Sequence, residues 1–168
     1  MDATIHTLGP LGTNCEMAAK LWANNNYINA ELKLYDTLEN AQKMVKDKGD
    51  YLLACIVYPD LHNLVFKNLK DMKLIDCFVM NTYEMVLASA NGVQDIKRVV
   101  SHPAPISLIE SKFENIYTTS SNSNAAILTK QGKYDACITT IEAANKHDLS
   151  VVKSFGEIEM GFSVHGKR

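Results

Sequence analysis

An α/β fold of two small lobes with largely parallel sheets around a cleft is what this sequence predicts, and three features predict it. Strand-like runs alternate with segments that carry helix-start signals along the whole chain, the pattern of repeated βαβ units. Several of the helical segments open on capping boxes, as in Thr13 with Glu16, Asp36-Thr37-Leu38-Glu39, and Thr139 with Glu142. In such a box the hydroxyl takes one free amide and the glutamate returns to another. The alternation forms two comparable units, residues 1–80 completed by 156–168, and residues 81–155, with no Gly/Ser linker between them. The last strand is expected to cross back to the first unit. Ligands of such folds sit beyond the carboxyl ends of strands, so the cleft between the lobes is the expected site.

The elements follow in order. Ala3 to Leu8 alternates polar and apolar residues and is broken by Gly9-Pro10, which marks a strand and its end. A helix begins at about Asn14, with Cys15, Ala18, Ala19 and Trp22 as its apolar stripe. Between them, Gly9, Pro10, Gly12 and Thr13 form a loop whose glycines serve either plain turn geometry or the approach of backbone amides to a carboxylate or phosphate. Ala30 to Tyr35 is a strand, followed by a helix to about Lys48; Tyr51 to Val57 is a buried strand, with Tyr58-Pro59-Asp60 at its carboxyl end. Leu61 to Leu69 is a short helix, and Leu74 to Met80 and Tyr83 to Ala90 are extended. Arg98 to Ser101 is a strand, and His102-Pro103-Ala104-Pro105 opens a helix through about Phe113. Asn115 to Thr118 is extended. The run Ser120, Ser121, Asn122, Ser123, Asn124 then repeats the logic of the opening loop before a helix through about Lys130. Asp135 to Thr139, Val151 to Phe155 and Phe162 to His165 are strands, with a helix to His147 after the first of them.

Composition narrows the partner. The 17 basic and 19 acidic residues leave a net charge of -2, and no basic cluster longer than Lys167-Arg168 argues for nucleic acid, so the expected partner is a small molecule. Arg98 and Arg168 are the only arginines, so an anionic ligand must be held mainly by amides, hydroxyls or lysines. Cys15, Cys55, Cys77 and Cys137 are widely spread, read as buried small hydrophobes, and give no zinc or redox spacing. None of the histidines has a metal-ligand partner at useful spacing, so neither metal nor cofactor is expected. The strand pattern begins almost at the N-terminus, leaving no room for a signal peptide, and no apolar run reaches membrane length, so a cytoplasmic protein is the expectation.

Three motifs read together resemble the catalytic domain of prephenate dehydratase in order and spacing. Thr7-Leu8-Gly9-Pro10-Leu11-Gly12-Thr13, with Glu16 and Ala18-Ala19, resembles that family's first motif. Ser101-His102-Pro103 resembles its histidine-proline motif, and Ser121-Asn122-Ser123-Asn124-Ala125-Ala126 its serine-threonine-alanine motif. The resemblance covers nearly the whole chain and implies a type 2 periplasmic-binding-like fold, a homodimer by analogy, and prephenate or a similar dicarboxylate as ligand. The departures are as informative. Where the dehydratases carry a Thr-Arg-Phe triplet whose threonine acts on the departing ring hydroxyl, this chain has Met160-Gly161-Phe162. The family's Glu-Asn-Ser stretch is changed around Tyr58-Pro59-Asp60, and, with the sequence running to Arg168, no ACT regulatory domain is expected. In these respects the chain is similar to the non-aromatising prephenate decarboxylases of bacilysin-type antibiotic biosynthesis. The segments Ser101 to Ile109 and Phe155 to Lys167 carry that similarity.

Prephenate has two carboxylates, so the resemblance implies two anion sites. The loop Gly9, Pro10, Gly12, Thr13 and the run Ser120 to Asn124 are the candidates, each at a helix start, with Ser101, Met160 and Gly161 as further substrate contacts. Loss of the ring carboxylate as carbon dioxide pushes electrons into the diene. A dehydratase lets them expel the C4 hydroxyl; a decarboxylase keeps the hydroxyl and protonates a ring carbon. His102 and Tyr58 are the candidate donors, and His102 reads equally as the residue that orders the Pro103 turn. Two other functions stay open: a non-catalytic cytoplasmic binding protein, and a dehydratase that uses another acid such as Ser163.

Overall fold

The computed structural model describes residues 2–93 and 95–168, and these divide into two compact units. The first unit comprises residues up to Asn81 together with Glu159–Arg168, and the second Thr82–Ile158.

In the first unit, β1 (Asp2–Leu8), β2 (Asn29–Tyr35), β3 (Asp50–Cys55), β4 (Met72–Asn81) and β10 (Glu159–Lys167) form one sheet in the order β2-β1-β3-β10-β4. In the second, β5 (Met85–Ser89), β6 (Arg98–Ser101), β7 (Asn115–Thr118), β8 (Ala136–Thr140) and β9 (Ser150–Gly156) form the order β7-β6-β8-β5-β9. Both sheets are mixed: most strands run the same way, as expected, and one strand in each runs against them. In the first, β1 pairs parallel with β2 and β3, while β10 is antiparallel to both β3 and β4. In the second, β6 pairs parallel with β7 and β8, while β5 is antiparallel to both β8 and β9. Four strands of each sheet therefore run the same way, as helical or loop crossovers demand, and one strand that enters without a crossover is inserted against them.

The first unit contains α1 (Asn14–Asn25), α2 (Leu38–Gln42) and α3 (Leu61–Lys67). Ile5, Trp22, Leu53, Phe162 and Val164 bury one face of its sheet under α1, and Leu38, Ala41, Leu52, Leu64 and Met72 form a second cluster. The second unit contains α4 (Asn122–Lys130) and α5 (Ile141–Lys146). Alanines 125, 126, 143 and 144 let these two helices lie close on Val86, Val100 and Cys137.

Several local expectations change for identifiable reasons. The helix expected to reach Lys48 ends at Gln42, because the Asp50 carboxylate takes the amides of Lys46 (2.9 Å) and Asp47 (3.0 Å) and turns the chain. The helix expected after Pro103 is a 3-10 turn, Ala104–Leu108, since Pro105 has no amide to donate to an α-helical ladder. The cap of α5 is Thr140, whose hydroxyl accepts the Ala143 amide at 3.2 Å, while Thr139 is fully buried and donates to the Asn122 carbonyl (2.8 Å). Cys77 is exposed on the edge strand β4 and departs from the expectation of four buried thiols. Among the described residues, no helix is long and apolar enough to cross a membrane.

Candidate functional site

The first group of candidate residues lies at the carboxyl ends of β1 and β3 in the first unit. Gly9 has a packing role: its amide donates to the Tyr35 carbonyl (2.7 Å), and a Cβ there would stand 3.2 Å from the Leu34 Cβ. The Gly9–Pro10 peptide is cis. Gly12 adopts φ +82° in open space, so backbone conformation rather than crowding calls for glycine. Its amide donates to Glu16 Oε2 at 2.6 Å, while the Thr13 hydroxyl accepts the Glu16 amide (3.4 Å) and faces the Leu8 carbonyl (3.4 Å). The capping box thus closes as expected, with Gly12 as the amide to which Glu16 returns. Glu16 is 8% exposed and is also paired with Lys20 at 2.5 Å. One anionic group is therefore built into this helix start, and two of the loop's polar groups are spent on it.

Tyr58 follows β3 and is half-buried against the Leu38 and Leu64 cluster. Its hydroxyl donates to Glu39 Oε2 at 2.8 Å. Burial and the neighbouring carboxylate raise its pKa, so the phenol stays protonated near neutrality. Glu39, expected to serve its own helix cap, instead reaches across to Tyr58; the α2 cap is Thr37, which accepts the Asn40 amide (3.2 Å). Sequence reading missed this Glu39–Tyr58 pair because its members are brought together only by packing.

Strand β10 supplies Met160, Gly161 and Phe162. Met160 packs on the cluster around Trp22 and Phe162, and Phe162 stacks on Phe78 with ring centroids 5.8 Å apart. Gly161 accepts the Ile56 amide at 3.1 Å, and a Cβ on it would fall 2.4 Å from Ile56 Cδ1. Ile56, half exposed just beyond β3, thus lies over the position aligned with the dehydratase arginine. It is a second residue missed by sequence reading, which placed it inside a buried strand running to Val57; the strand ends at Cys55 and leaves Ile56 and Val57 exposed in the turn that follows. Ser163 is buried and bonded to His165 Nε2 at 3.0 Å. On the alternating strand it faces away from Met160 and Phe162.

The second group lies in the second unit. Ser101 is fully buried, and its hydroxyl donates to the carbonyl of His102 (2.8 Å), so it shapes the turn rather than presenting a free hydroxyl. His102 Nδ1 accepts the Ala104 amide at 3.2 Å. That bond leaves the ring proton on Nε2, and burial lowers the pKa, so the imidazole is neutral at pH 7. The turn-ordering role read from the sequence is present in the structure. At the start of α4, Ser121 is the N-cap and accepts the Asn124 amide at 3.0 Å, while Asn124 Nδ2 donates to the Thr119 hydroxyl (2.5 Å). Ser120 is exposed and Ser123 buried. Asn122 Oδ1 is buried without a hydrogen-bond partner, a position a bound molecule would satisfy.

Both arginines are engaged elsewhere. Arg98 makes a 2.8 Å ion pair with Asp135, whose carboxyl its hydrogen bonds hold down at about 2. Arg168 Nε donates to the carbonyls of Leu69 (2.7 Å) and Met72 (3.1 Å). Among the described residues, no group of three or more His, Cys, Asp or Glu is placed to hold a metal.

The sequence profile of prephenate dehydratase matches residues 5–159. The chain belongs to the prephenate dehydratase family. Within that family it is similar to a prephenate decarboxylase of Bacillus subtilis (strain 168), at 32% identity over 98% of this chain and 86% of the relative. Among solved structures, a prephenate dehydratase of Arthrobacter aurescens in complex with L-Phe superposes with a TM-score of 0.76 at 19% identity, covering 99% of this chain. The chain spans 61% of the length of that dehydratase. The periplasmic VFT2 domain of Bordetella pertussis BvgS superposes with a TM-score of 0.59 at 10% identity, covering 99% of this chain and 81% of the domain. These likenesses show a two-lobed fold shared by prephenate dehydratases and periplasmic-binding-like domains.

Proposed function

We propose that this member of the prephenate dehydratase family is a prephenate decarboxylase that releases carbon dioxide, protonates a ring carbon and retains the C4 hydroxyl. The observation that carries the reading is β10. Met160 and Phe162 turn into the core, Gly161 has no side chain, and Ile56 covers it, so this stretch offers no acid to the leaving hydroxyl. Loss of a general acid costs about 10²- to 10⁴-fold, enough to suppress expulsion of water. Similarity to the Bacillus decarboxylase over most of both chains supports the same reading. Ser163, buried and bonded to His165 on the opposite face of β10, gives no support to a dehydratase that uses it as the acid.

In the balanced step, the C–C bond to the ring carboxylate breaks, its electron pair passes into the diene, and a proton is added at a ring carbon. No electron acceptor is needed. In this proposal the substrate is held by Gly9, Pro10, Gly12 and Thr13 in the first unit and by Ser120 to Asn124 in the second, while Ser101, whose hydroxyl is used in its own turn, and Met160 and Gly161, in the core and under Ile56, contribute shape rather than hydrogen bonds. With Arg98 and Arg168 committed elsewhere, the carboxylates depend on helix-start amides and hydroxyls. Tyr58, kept protonated beside Glu39, and His102, with its proton on Nε2, are the proposed donors. The protein is further proposed to be a cytoplasmic homodimer serving bacilysin-type antibiotic biosynthesis.

Incubation with prephenate followed by mass spectrometry tests the reaction. The expected product has lost carbon dioxide and kept its hydroxyl; phenylpyruvate as the main product, or no product at all, would overturn the proposal. The donors are tested separately with Tyr58→Phe and His102→Gln. Loss of the true donor should lower kcat by about 10²- to 10⁴-fold with little change in KM. If both variants retain full kcat, neither residue is the donor.

A further inference from the structure

The opposite end of the first unit holds a cavity of about 320 Å³ that the proposed chemistry does not use. Its position follows from the sheet register. Leu52 and Leu74 lie across from His165, at the amino ends of β3 and β4, whereas Cys55, next to the candidate residues, lies across from Phe162. Leu52, Leu64, Val65 and Met72 give it apolar walls, drawn from the sheet and from α3. Two cationic side chains, Lys73 and Arg168, stand among the lining residues, and no aspartate or glutamate does. Arg168 is anchored there by its Nε bonds to the Leu69 and Met72 carbonyls, which leave its terminal amino groups outside those two contacts. Among the described residues, neither Lys73 nor Arg168 is in a salt bridge.

We propose that this cavity is a second small-molecule site, one that takes a small carboxylate with an apolar aliphatic or aryl body. The argument is charge and shape together. An apolar body replaces water along the leucine and methionine walls, so each methylene buried there favours binding. A carboxylate head meets a lysine and a guanidinium with no aspartate or glutamate among the lining residues, and a guanidinium offers two parallel donors to a carboxylate. A neutral or cationic ligand of the same body gains only the first of these. The volume lies at the small end of ligand cavities, which excludes large cofactors. All lining residues belong to the first unit, so the site is complete within it.

Sodium octanoate is the probe, titrated by calorimetry into the full chain. Saturable one-site binding is expected, with 1-octanol weaker by at least about fivefold. Lys73→Glu, on the exposed edge strand, should weaken octanoate by about fivefold or more through charge reversal. Leu69→Trp, at the exposed mouth, should weaken it by about tenfold or more by filling the entrance. Both variants should turn over prephenate as the parent does, which also reports that they are folded. The proposal is overturned if octanoate shows no saturable binding, if 1-octanol and Lys73→Glu bind as octanoate and the parent do, if Leu69→Trp leaves binding unchanged, or if octanoate competes with prephenate.

Discussion

Replacing Ser121 by Asp should raise the KM for prephenate by at least about tenfold while leaving the protein as stable as before, because like charges brought together at a binding site cost several kcal/mol. The separation of effects rests on what Ser121 does. Its hydroxyl caps α4 by accepting the Asn124 amide at 3.0 Å. Aspartate is as good an N-cap as serine, and its charge suits the positive end of a helix, so the cap and the helix survive. A substrate carboxylate at the same helix start would then meet a fixed negative charge. At an effective dielectric constant of about 20, two charges about 4 Å apart repel by about 4 kcal/mol, and partial solvation brings this down toward the tenfold expected. Ser121→Ala is the complementary variant: it removes the cap without adding charge and should cost about 1 kcal/mol of stability. Steady-state kinetics and urea unfolding on the two variants read both quantities. An unchanged KM for Ser121→Asp would remove the α4 start from the substrate site.

Phe162→Ala should destabilise the first unit by about 3–5 kcal/mol, the largest stability loss expected of any single truncation considered for β10. Phe162 is fully buried. It lies opposite Cys55 on β3 and Phe78 on β4, so its ring sits where the inserted strand joins both neighbours. Truncation removes the stack on Phe78, whose centroid is 5.8 Å away, and opens a cavity beside Trp22 and Leu53. For a chain of this length, Tm should fall by roughly 10 °C. Thermal and urea unfolding check the value, and a loss below about 1 kcal/mol would mean that the surrounding side chains collapse into the space. Where two transitions are resolved, one that keeps its midpoint assigns the loss to the first unit.

Local chemistry was the part most legible in the sequence. Thr13 with Glu16 closes the start of α1, and Ser121 caps α4, because a hydroxyl three residues from an amide acts over a single helical turn whatever surrounds it. The resemblance carried by three motifs was equally readable, and the family profile spans the same stretch. One-residue errors arose where two hydroxyls compete, as at Thr139 and Thr140 before α5. The limits of the helices after Thr37 and Pro103 were misjudged because a carboxylate and a second proline ended them earlier than periodicity implies.

By itself the sequence determined that strands and helices alternate, where most helices start, which family the motifs belong to, and that no acid stands at positions 160 to 162. Only the tertiary structure decided which strand is inserted antiparallel in each sheet, since β10 and β5 enter without a crossover whose handedness would place them. It also decided that Glu39 holds Tyr58, that Ile56 covers Gly161, that Glu16 uses the Gly12 amide, and that Arg168 reaches a cavity at the far end of the sheet. The physical reason is range. Caps and propensities act over a few residues of chain, whereas these contacts join side chains far apart in sequence that only packing brings together.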